Sequence, residues 1–360
     1  DTEIIRIINK ALDGGLLDKK EIMALLSVEN LSPEAFAIQQ AGRAFTSQLC
    51  GGEAEIHAHI GLDAAPCPND CKFCSFAASN KIFRTHEVIP LEQVIAEAQA
   101  MEAAGANALY LVTTVHYGEE KFLETAQAVR AGLSTDVPLI ANVPDFDEDY
   151  ARELVRIGIA GVYHVVRLGE GVFTRCKVET RLKTMEAAKS AGLVLGNCID
   201  PIGPEHTPEE LADLILLARD FEVGFSGAMR RNTVPGTEFE RYGNISYGRL
   251  ATYAGATALA TGPGIRGNCT HEPSQLCGQA GANIMWAERG TSPRDTATET
   301  TRGLSVDQVR EIYFDTDWPV HEGPSQFYPP YLPGKAPRRA ASRDDAARAD
   351  AAFPPPTARW

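Results

Sequence analysis

The sequence lacks an apolar run of about 20 residues, which is the length that a membrane-spanning helix needs. It also lacks an excess of basic charge, because 34 Lys and Arg residues stand against 48 Asp and Glu residues, a formal net charge of −14. Since phosphate backbones and anionic membranes attract clustered Lys and Arg, we expect neither a nucleic-acid partner nor a membrane partner. The first residues, DTEIIRIINK, lack the charged-then-apolar build of a secretion signal, so we expect a cytoplasmic protein.

Little in the composition fits a disulfide framework or a disordered chain. Eight cysteines in 360 residues suit a metal site in a reducing compartment better than the disulfides of small secreted domains. Apolar residues make up 44% and charged residues 23%, so the chain can bury a large core. The length fits either two average domains or one α/β barrel.

Short β-rich segments alternate with amphipathic helical segments after about residue 53. The predicted strands are EIHAHIGL, ALYLVTT, PLIANV, VYHVVRL, LVLGNCID, VGFSGAM, GIRGN and ANIMW. Because parallel strands joined by helical crossovers are typical of a closed barrel, we predict an α/β fold of the TIM-type (β/α)8 barrel class.

The barrel prediction covers residues 53–300, and three further segments are assigned around it. Residues 1–52 have helical periodicity and are predicted to pack on the barrel as an N-terminal cover. Residues 301–334 are predicted to form a C-terminal cover of helix and loop. Residues 335–360 combine few large apolar side chains with mixed charges and a Pro run, which predicts a flexible tail.

The segment APCPNDCKFCSF holds Cys67, Cys71 and Cys74 in a C-x3-C-x2-C spacing. Thiolates are soft ligands that select zinc, copper(I) or iron–sulfur clusters. A structural zinc site needs a fourth ligand, which neighbouring histidines before and after the loop could supply. A ferredoxin-type carrier also uses four thiolates, whereas three thiolates on a cubane leave one iron open to a further ligand.

The position of this loop favours the open iron. The loop follows the first predicted strand, and active sites of barrels lie at the C-terminal ends of their strands. Phe73 immediately precedes the third cysteine, where it can pack on whatever binds the open iron.

The pattern C-x3-C-x-aromatic-C after a first barrel strand resembles the radical S-adenosylmethionine (SAM) superfamily. The resemblance implies that Cys67, Cys71 and Cys74 hold a 4Fe–4S cluster whose open iron chelates the methionine part of SAM. Reduction of such a cluster cleaves SAM, and the resulting 5′-deoxyadenosyl radical abstracts hydrogen from a substrate. It also implies a small-molecule substrate, an electron donor such as flavodoxin or ferredoxin, and a monomer or homodimer.

Further segments resemble the branch that contains biotin synthase, the FeFe-hydrogenase maturases and methylornithine synthase. They include EAQAMEAAGANALYLVTT, VYHVVRLGEG, VETRLKTMEAAKSAGL and CGQAGANIMWAERGTSP. Carried over by position, Glu170 would contact SAM and Arg181 would bind its methionine carboxylate, which a guanidinium fork suits. The same resemblance places Thr113, Thr114 and Ile202 near SAM, in addition to Phe73. The alternatives are that Arg181 is a surface helix charge and that the threonines are ordinary β-branched strand residues.

The resemblance leaves two kinds of radical chemistry open. Biotin synthase holds a second, sulfur-donating cluster with three cysteines and an arginine. Late in this sequence, a second iron–sulfur cluster would have Cys198, Cys269, Cys277 and Arg266 as candidate ligands, although free cysteines are also ordinary buried residues. Cys50 and Cys176 carry no signal.

The early strands carry other residue types where the sulfur-donor ligands of biotin synthase would lie, such as Thr113 and Asn142. We therefore expect carbon-skeleton, C–C or C–N bond chemistry in cofactor or amino-acid biosynthesis, with sulfur insertion as the alternative. The candidate substrate-binding residues are Arg230, Arg231, His271 and Ser292. A non-catalytic metal-binding or electron-carrier protein is the remaining hypothesis.

Overall fold

The computed structural model describes residues 2–329, so the predicted tail at 335–360 lies outside the described residues. Its helices are α1 (Thr2–Leu12), α2 (Lys19–Leu26), α3 (Pro33–Leu49), α4 (Leu91–Ala103), α5 (Glu119–Gly132), α6 (Glu148–Arg156), α7 (Val178–Ala191), α8 (Pro208–Asp220), α9 (Tyr247–Thr261), α10 (Gln275–Gln279) and α11 (Val306–Asp315). Its strands are β1 (Glu55–Gly61), β2 (Asp63–Ala64), β3 (Glu87–Val88), β4 (Ala108–Val112), β5 (Leu139–Asn142), β6 (Ile159–Tyr163), β7 (Val194–Gly196), β8 (Ile199–Ile202), β9 (Phe225–Arg230), β10 (Gly267–Thr270) and β11 (Ile284–Gly290). No helix within residues 2–329 has both the length and the apolar character needed to cross a bilayer.

Eight parallel strands close into a barrel, which confirms the predicted TIM-type fold. Around the barrel they follow the order β1, β4, β5, β6, β7, β9, β10 and β11. The ring closes because β9 pairs with both β7 and β10, and β11 pairs with β1 over its whole length. One apolar core fills the space between the strands and the surrounding helices, and a second core fills the barrel interior.

Helices α1 to α3 pack against α8, α9 and α10 on the outside of the barrel. Side chains fix where they begin: Asp18 and Glu21 form a capping box at α2, and the Ser32 hydroxyl accepts a hydrogen bond from the first turn of α3. Helices α3 and α9 approach closely through Gly42 and Gly255, since a Cβ at Gly42 would lie 2.5 Å from the Gly255 Cα. Small residues at this crossing therefore hold the N-terminal helices against the barrel.

The segment LVLGNCID is not one strand, as the sequence predicted, but two. β7 ends at Gly196, and the chain then leaves the ring so that β8 pairs with β9 outside it, with an irregular register. Pro201 within β8 has no N–H to donate to a ladder, which suits an edge strand. Asn197 and Cys198 are the two residues between β7 and β8, where the chain leaves the ring of barrel strands.

The N-terminal end of the barrel is closed by a segment that follows α11. Tyr328 enters the barrel interior and its hydroxyl lies 3.0 Å from that of Tyr110. Gly161 provides the room, since a Cβ there would lie 2.5 Å from the Tyr328 ring. The backbone N–H of Gln326 donates to Glu55 at 2.6 Å. Residues 325–328 thus form a floor beneath the strands.

Candidate active site

The three cysteines of the C-x3-C-x2-C pattern lie in a loop that folds back on itself after β1 and β2. The Cys67 N–H donates to the Phe76 carbonyl at 2.7 Å, and the Cys74 N–H donates to the Cys71 carbonyl at 2.8 Å. The Phe76 N–H points at the Cys74 Sγ at 3.3 Å. The Cys71 Sγ lies 3.8 Å from the Asn69 carbonyl, so one thiol of the loop also donates to the backbone. These bonds give the loop a fixed shape.

Asp70 anchors the middle of this loop. Its carboxylate accepts the Ser79 N–H at 2.8 Å and lies 3.3 Å from the Lys72 ammonium and 3.6 Å from the Arg175 guanidinium. Asp70 adopts a left-handed backbone conformation with φ of +49°, which Asp tolerates better than most residues. Two cations and a backbone N–H therefore hold the turn between the first two cysteines.

The thiols of the loop are poor anions in the absence of a cation. Burial raises the pKa of Cys74 to about 12 and also raises the pKa of Cys67. The neighbouring Cys176 thiol, together with burial, raises the pKa of Cys71 well above the usual value. The same neighbour relation lowers the pKa of Cys176 to about 7. A soft metal cation would ionise these thiols and ligate them, so the donor set fits an iron–sulfur cluster.

A cavity with about 890 Å³ of empty space, including the part that is open to solvent, lies at the C-terminal ends of the strands beside the cysteine loop. Several residues that the sequence predicted line it, namely Cys71, Phe73, Cys74, Arg230, Arg231, His271 and Ser292. Others on its wall were not predicted, namely His59, Tyr163, Arg167, Asp200, Glu288 and Arg294. The loop also docks on the far side of the cavity, since the Ser75 N–H donates to the Pro293 carbonyl at 2.9 Å.

Arg167 and Asp200 form a charged pair on the cavity wall. The Arg167 Nε lies 3.9 Å from the Asp200 Oδ2, and its NH1 lies 3.8 Å from the Glu170 carboxylate. Burial raises the pKa of Asp200 to about 6, although Arg167 opposes this shift, and the Asp200 Oδ1 has no hydrogen-bond partner. Burial works against the charge of Arg167, but Asp200 and Glu170 raise its pKa above the usual value. Arg167 follows β6 and Asp200 follows β7, so the sequence alone could have suggested both as site residues.

Glu170 and Arg181 lie together beneath this pair. Arg181 is only 4% exposed, so it is not a surface helix charge. Its Nε lies 3.3 Å from Glu170, its NH1 donates to Asp145 at 3.2 Å, and its NH2 donates to the Cys176 Sγ at 3.3 Å. The guanidinium is thus occupied by protein groups and does not line the cavity.

Three other predicted SAM contacts lie beside the cavity and not on its wall. The Thr114 hydroxyl and N–H both donate to the Asp63 carboxylate, at 2.5 and 2.7 Å. The Thr113 N–H donates to the Asn142 carbonyl in continuation of the strand pairing, and Ile202 is buried in β8. Asn142 itself does line the cavity.

The late-strand arginines are largely occupied. Arg230 stacks on the Tyr247 ring at 3.7 Å and donates to the Ile245 carbonyl at 3.1 Å. Arg231 binds the Glu205 carboxylate through both terminal nitrogens.

The candidate ligands of a second cluster are not all brought together. The Sγ atoms of Cys198 and Cys269 lie 2.9 Å apart inside the barrel. Cys277 lies in α10 and packs in the outer core. Arg266 donates to the Leu49 carbonyl at 3.0 Å on the outside. Two thiols, and not three thiols with a guanidinium, therefore meet in the interior.

Residues 66–218 match the family model of the Radical SAM superfamily. Among curated proteins, the biotin synthase of Carboxydothermus hydrogenoformans is 26% identical over 246 residues, which are 66% of this chain and 75% of that protein. The biotin synthase of Syntrophotalea carbinolica is 26% identical over 247 residues, which are 65% of this chain and 73% of that protein.

Two solved structures share the fold over most of the chain. Methylornithine synthase (PylB) superposes with a TM-score of 0.71 and 18% identity, over 88% of this chain and 97% of that one. The FeFe-hydrogenase maturase HydG from Carboxydothermus hydrogenoformans superposes with a TM-score of 0.70 and 20% identity, over 88% of this chain and 79% of that one. Both similarities show that this chain shares their fold.

Proposed function

We propose that Cys67, Cys71 and Cys74 ligate a 4Fe–4S cluster, from the premise that this chain belongs to the radical SAM superfamily and is an enzyme. We further propose that the adjoining cavity binds SAM and a small-molecule substrate. The observation that carries this proposal is that the cysteine loop forms one wall of this cavity. Three thiolates leave one iron without a protein ligand, and the cavity provides space for a ligand there.

The cluster and SAM, when bound, supply a 5′-deoxyadenosyl radical that abstracts hydrogen from the substrate. The chain's own residues bind and orient. Arg167 is the cavity guanidinium that we infer binds the methionine carboxylate of SAM, because Arg167 lines the cavity, whereas Arg181 does not line it and contacts Glu170 and Asp145. Arg181 then acts as a positioning residue, since it holds Glu170, which in turn lies 3.8 Å from Arg167.

Asp200 is the proton-holding group of the same wall. With a pKa of about 6, it is close to half ionised in a mildly acidic buffer and can either donate a hydrogen bond or accept one. Phe73, directly before the third cysteine, lines the cavity and restricts water near the cluster.

Carbon-centred chemistry is better supported than sulfur insertion. A second, sulfur-donating cluster like that of biotin synthase requires three cysteines and an arginine in one place. Here Cys277 and Arg266 lie outside the barrel interior. Cys198 and Cys269 alone do not complete that set. We infer that the substrate loses a hydrogen atom and then rearranges or breaks a C–C or C–N bond.

An electron donor such as flavodoxin or ferredoxin fits this chemistry, because the cluster must be reduced before SAM is cleaved. All eight cysteines are free thiols, which supports a reducing, cytoplasmic location. A monomer and a homodimer both remain compatible with the proposal.

The test is anaerobic reconstitution with iron and sulfide, followed by iron counting and a 5′-deoxyadenosine assay with SAM and a reductant. We expect about four irons per chain and formation of deoxyadenosine. Ala variants of Cys67, Cys71 and Cys74 should lose both, whereas Cys277→Ala should keep both because Cys277 packs in the outer core. SAM cleavage that persists in the three loop variants would overturn the proposal. Markedly more iron would support sulfur insertion, and bound zinc without SAM cleavage would support a non-catalytic metal protein.

A further inference from the structure

We propose that His59, His271 and Glu288 form a binding site for a single divalent transition metal inside the barrel, separate from the cysteine loop. One ligand atom from each residue lies within 4.8 Å of the other two. All three side chains are buried, and all three line the same cavity as Cys71 and Cys74. This site goes beyond the proposed SAM chemistry and does not depend on it.

The fold brings these residues together through neighbouring strands. His59 in β1 is directly opposite Glu288 in β11, in the parallel register that closes the barrel. Side chains alternate along a strand, so His59 shares the inward face with His57, and Glu288 shares it with Trp286. His271 follows the last residue of β10, the other neighbour of β11. Three adjacent strands thus each supply one ligand at one level of the barrel.

The distances are close to those of a coordination site. The Nδ1 of His271 lies 3.6 Å from the Glu288 Oε1, and the Nδ1 of His59 lies 3.9 Å from the same oxygen. The two imidazole centroids are 4.4 Å apart. Two tetrahedral ligands that each lie about 2.1 Å from one ion are about 3.4 Å apart. Both distances to the Glu288 oxygen are therefore within about half an ångström of the spacing in a tetrahedral site, and all three ligand atoms lie within 4.8 Å of one another.

The nitrogen of His271 that faces Glu288 has no hydrogen-bond partner, which ordinary core packing does not explain. This Nδ1 atom is buried, makes no hydrogen bond and lies 3.6 Å from the Glu288 Oε1. A buried polar atom left unpaired is costly, and such atoms are rare in native interiors.

The charges that face the site accommodate a dication. Arg294 contacts the Glu288 carboxylate, donates to Glu272 at 2.9 Å and donates to the His271 carbonyl at 3.1 Å. Two carboxylates therefore share one guanidinium, and one negative charge is left over beside the two imidazoles. Arg294 contacts the Glu288 Oε1, the oxygen that also faces both histidines, so a metal would share that oxygen with the guanidinium or bind the other carboxylate oxygen. Pairing with Arg294 alone would explain Glu288, but it would leave the His271 Nδ1 without a partner.

The ligands are also preorganised. The His271 ring stacks on Trp286, with centroids 4.2 Å apart and planes 9° apart. The His59 ring packs on the same indole at 5.6 Å. Two imidazoles and one carboxylate suit zinc or iron(II), and three protein ligands leave coordination positions free. Because the site faces the cavity, those positions would take oxygen or nitrogen donors of the bound substrate.

The experiment uses zinc as the probe and the enzyme with its iron–sulfur cluster in place, so that the loop thiols are already ligated. After addition of Zn²⁺ and gel filtration, we expect about one zinc per chain in addition to the cluster iron. Zinc K-edge absorption should show nitrogen and oxygen neighbours at about 2.0–2.1 Å with imidazole scattering, and no sulfur at about 2.3 Å.

The variants His271→Asn and Glu288→Gln should each weaken zinc retention by at least about tenfold, with cluster iron unchanged. His321→Asn is the matched control, because His321 is paired with Glu53 near the N-terminal end of the barrel and should leave retention unchanged. Retention of less than a tenth of a zinc per chain by the wild type would overturn the proposal, as would sulfur neighbours in its absorption spectrum. Full retention by both variants would overturn it as well, whatever their stability.

Discussion

Replacement of Asp200 by Asn should make this protein more stable than the wild type at neutral pH. The gain in stability should be smaller in acid. Asp200 is 3% exposed, and burial raises its pKa to about 6, against 3.8 for a free side chain. A carboxyl whose pKa is raised by folding binds its proton more tightly in the native state. The stability that it contributes is present below about pH 3.8 and is lost as the pH rises to about 6.

The size of this effect follows from the two pKa values. A shift of about 2.2 pKa units corresponds to about 3 kcal/mol, the free energy that ionised Asp200 takes from native stability at pH 8. At pH 5 Asp200 is mostly protonated in the native state, and the loss is about half as large. Asn cannot ionise, so the free energy of unfolding of Asp200→Asn relative to wild type should rise by about 1 kcal/mol between pH 5 and pH 8.

Denaturant unfolding of the cluster-free chain under anaerobic, reducing conditions measures this difference at each pH. Asp145→Asn is a suitable control. Burial disfavours the Asp145 carboxylate, but His164 and Arg181 lower its pKa overall, so this variant should be less stable than wild type at both pH values. A relative stability of Asp200→Asn that is the same at pH 5 and pH 8 would refute a raised pKa for Asp200.

Two further predictions concern the cavity wall and the floor. Arg167→Met should raise the dissociation constant of SAM by about 10–100-fold, because it removes a charge-assisted bond worth about 1.5–3 kcal/mol, whereas Arg152→Met, with a 60% exposed side chain on α6, should not. Equilibrium dialysis checks this, and equal weakening by both would contradict it. Tyr328→Phe should lower the free energy of unfolding by about 1 kcal/mol through loss of the Tyr110 bond, and Tyr328→Ala by about 3–5 kcal/mol through loss of the buried ring. Denaturant unfolding with little change in either variant would show that the floor is dispensable.

The cysteine loop could be predicted from the sequence because its information is local. The spacing of Cys67, Cys71 and Cys74 and the preceding strand lie within about two dozen residues. The alternation of β and α segments likewise specified a parallel barrel, because crossover connections leave few other topologies. The prediction of a single strand over LVLGNCID was wrong, because its continuous apolar pattern does not reveal the break between β7 and β8.

The remaining site residues depend on pairings between distant segments. The residues that flank Cys198, Cys269 and Cys277 do not reveal which way each thiol faces. In the structure only Cys198 and Cys269 face the barrel interior. Cys176 lies in a loop with no periodic pattern, and its contact with Cys71 arises only when that loop packs on the cysteine loop. The alternation in EIHAHIGL could have placed His57 and His59 on one face, but not which strand would lie beside them.

The floor beneath the barrel has a consequence for how the chain is synthesised. Glu55 and His57 are made early, in the first barrel strand, yet the groups that satisfy them from below, Gln326 and Tyr328 through Tyr110, leave the ribosome after all eight strands. His57 already has its partners Glu55 and Tyr110 in the early strands, but until then one Glu55 oxygen lacks the Gln326 N–H and the Tyr110 hydroxyl lacks Tyr328. The mouth that carries the cysteine loop can be assembled early, but the interior is sealed last, so completion of the fold is tied to translation beyond Tyr328.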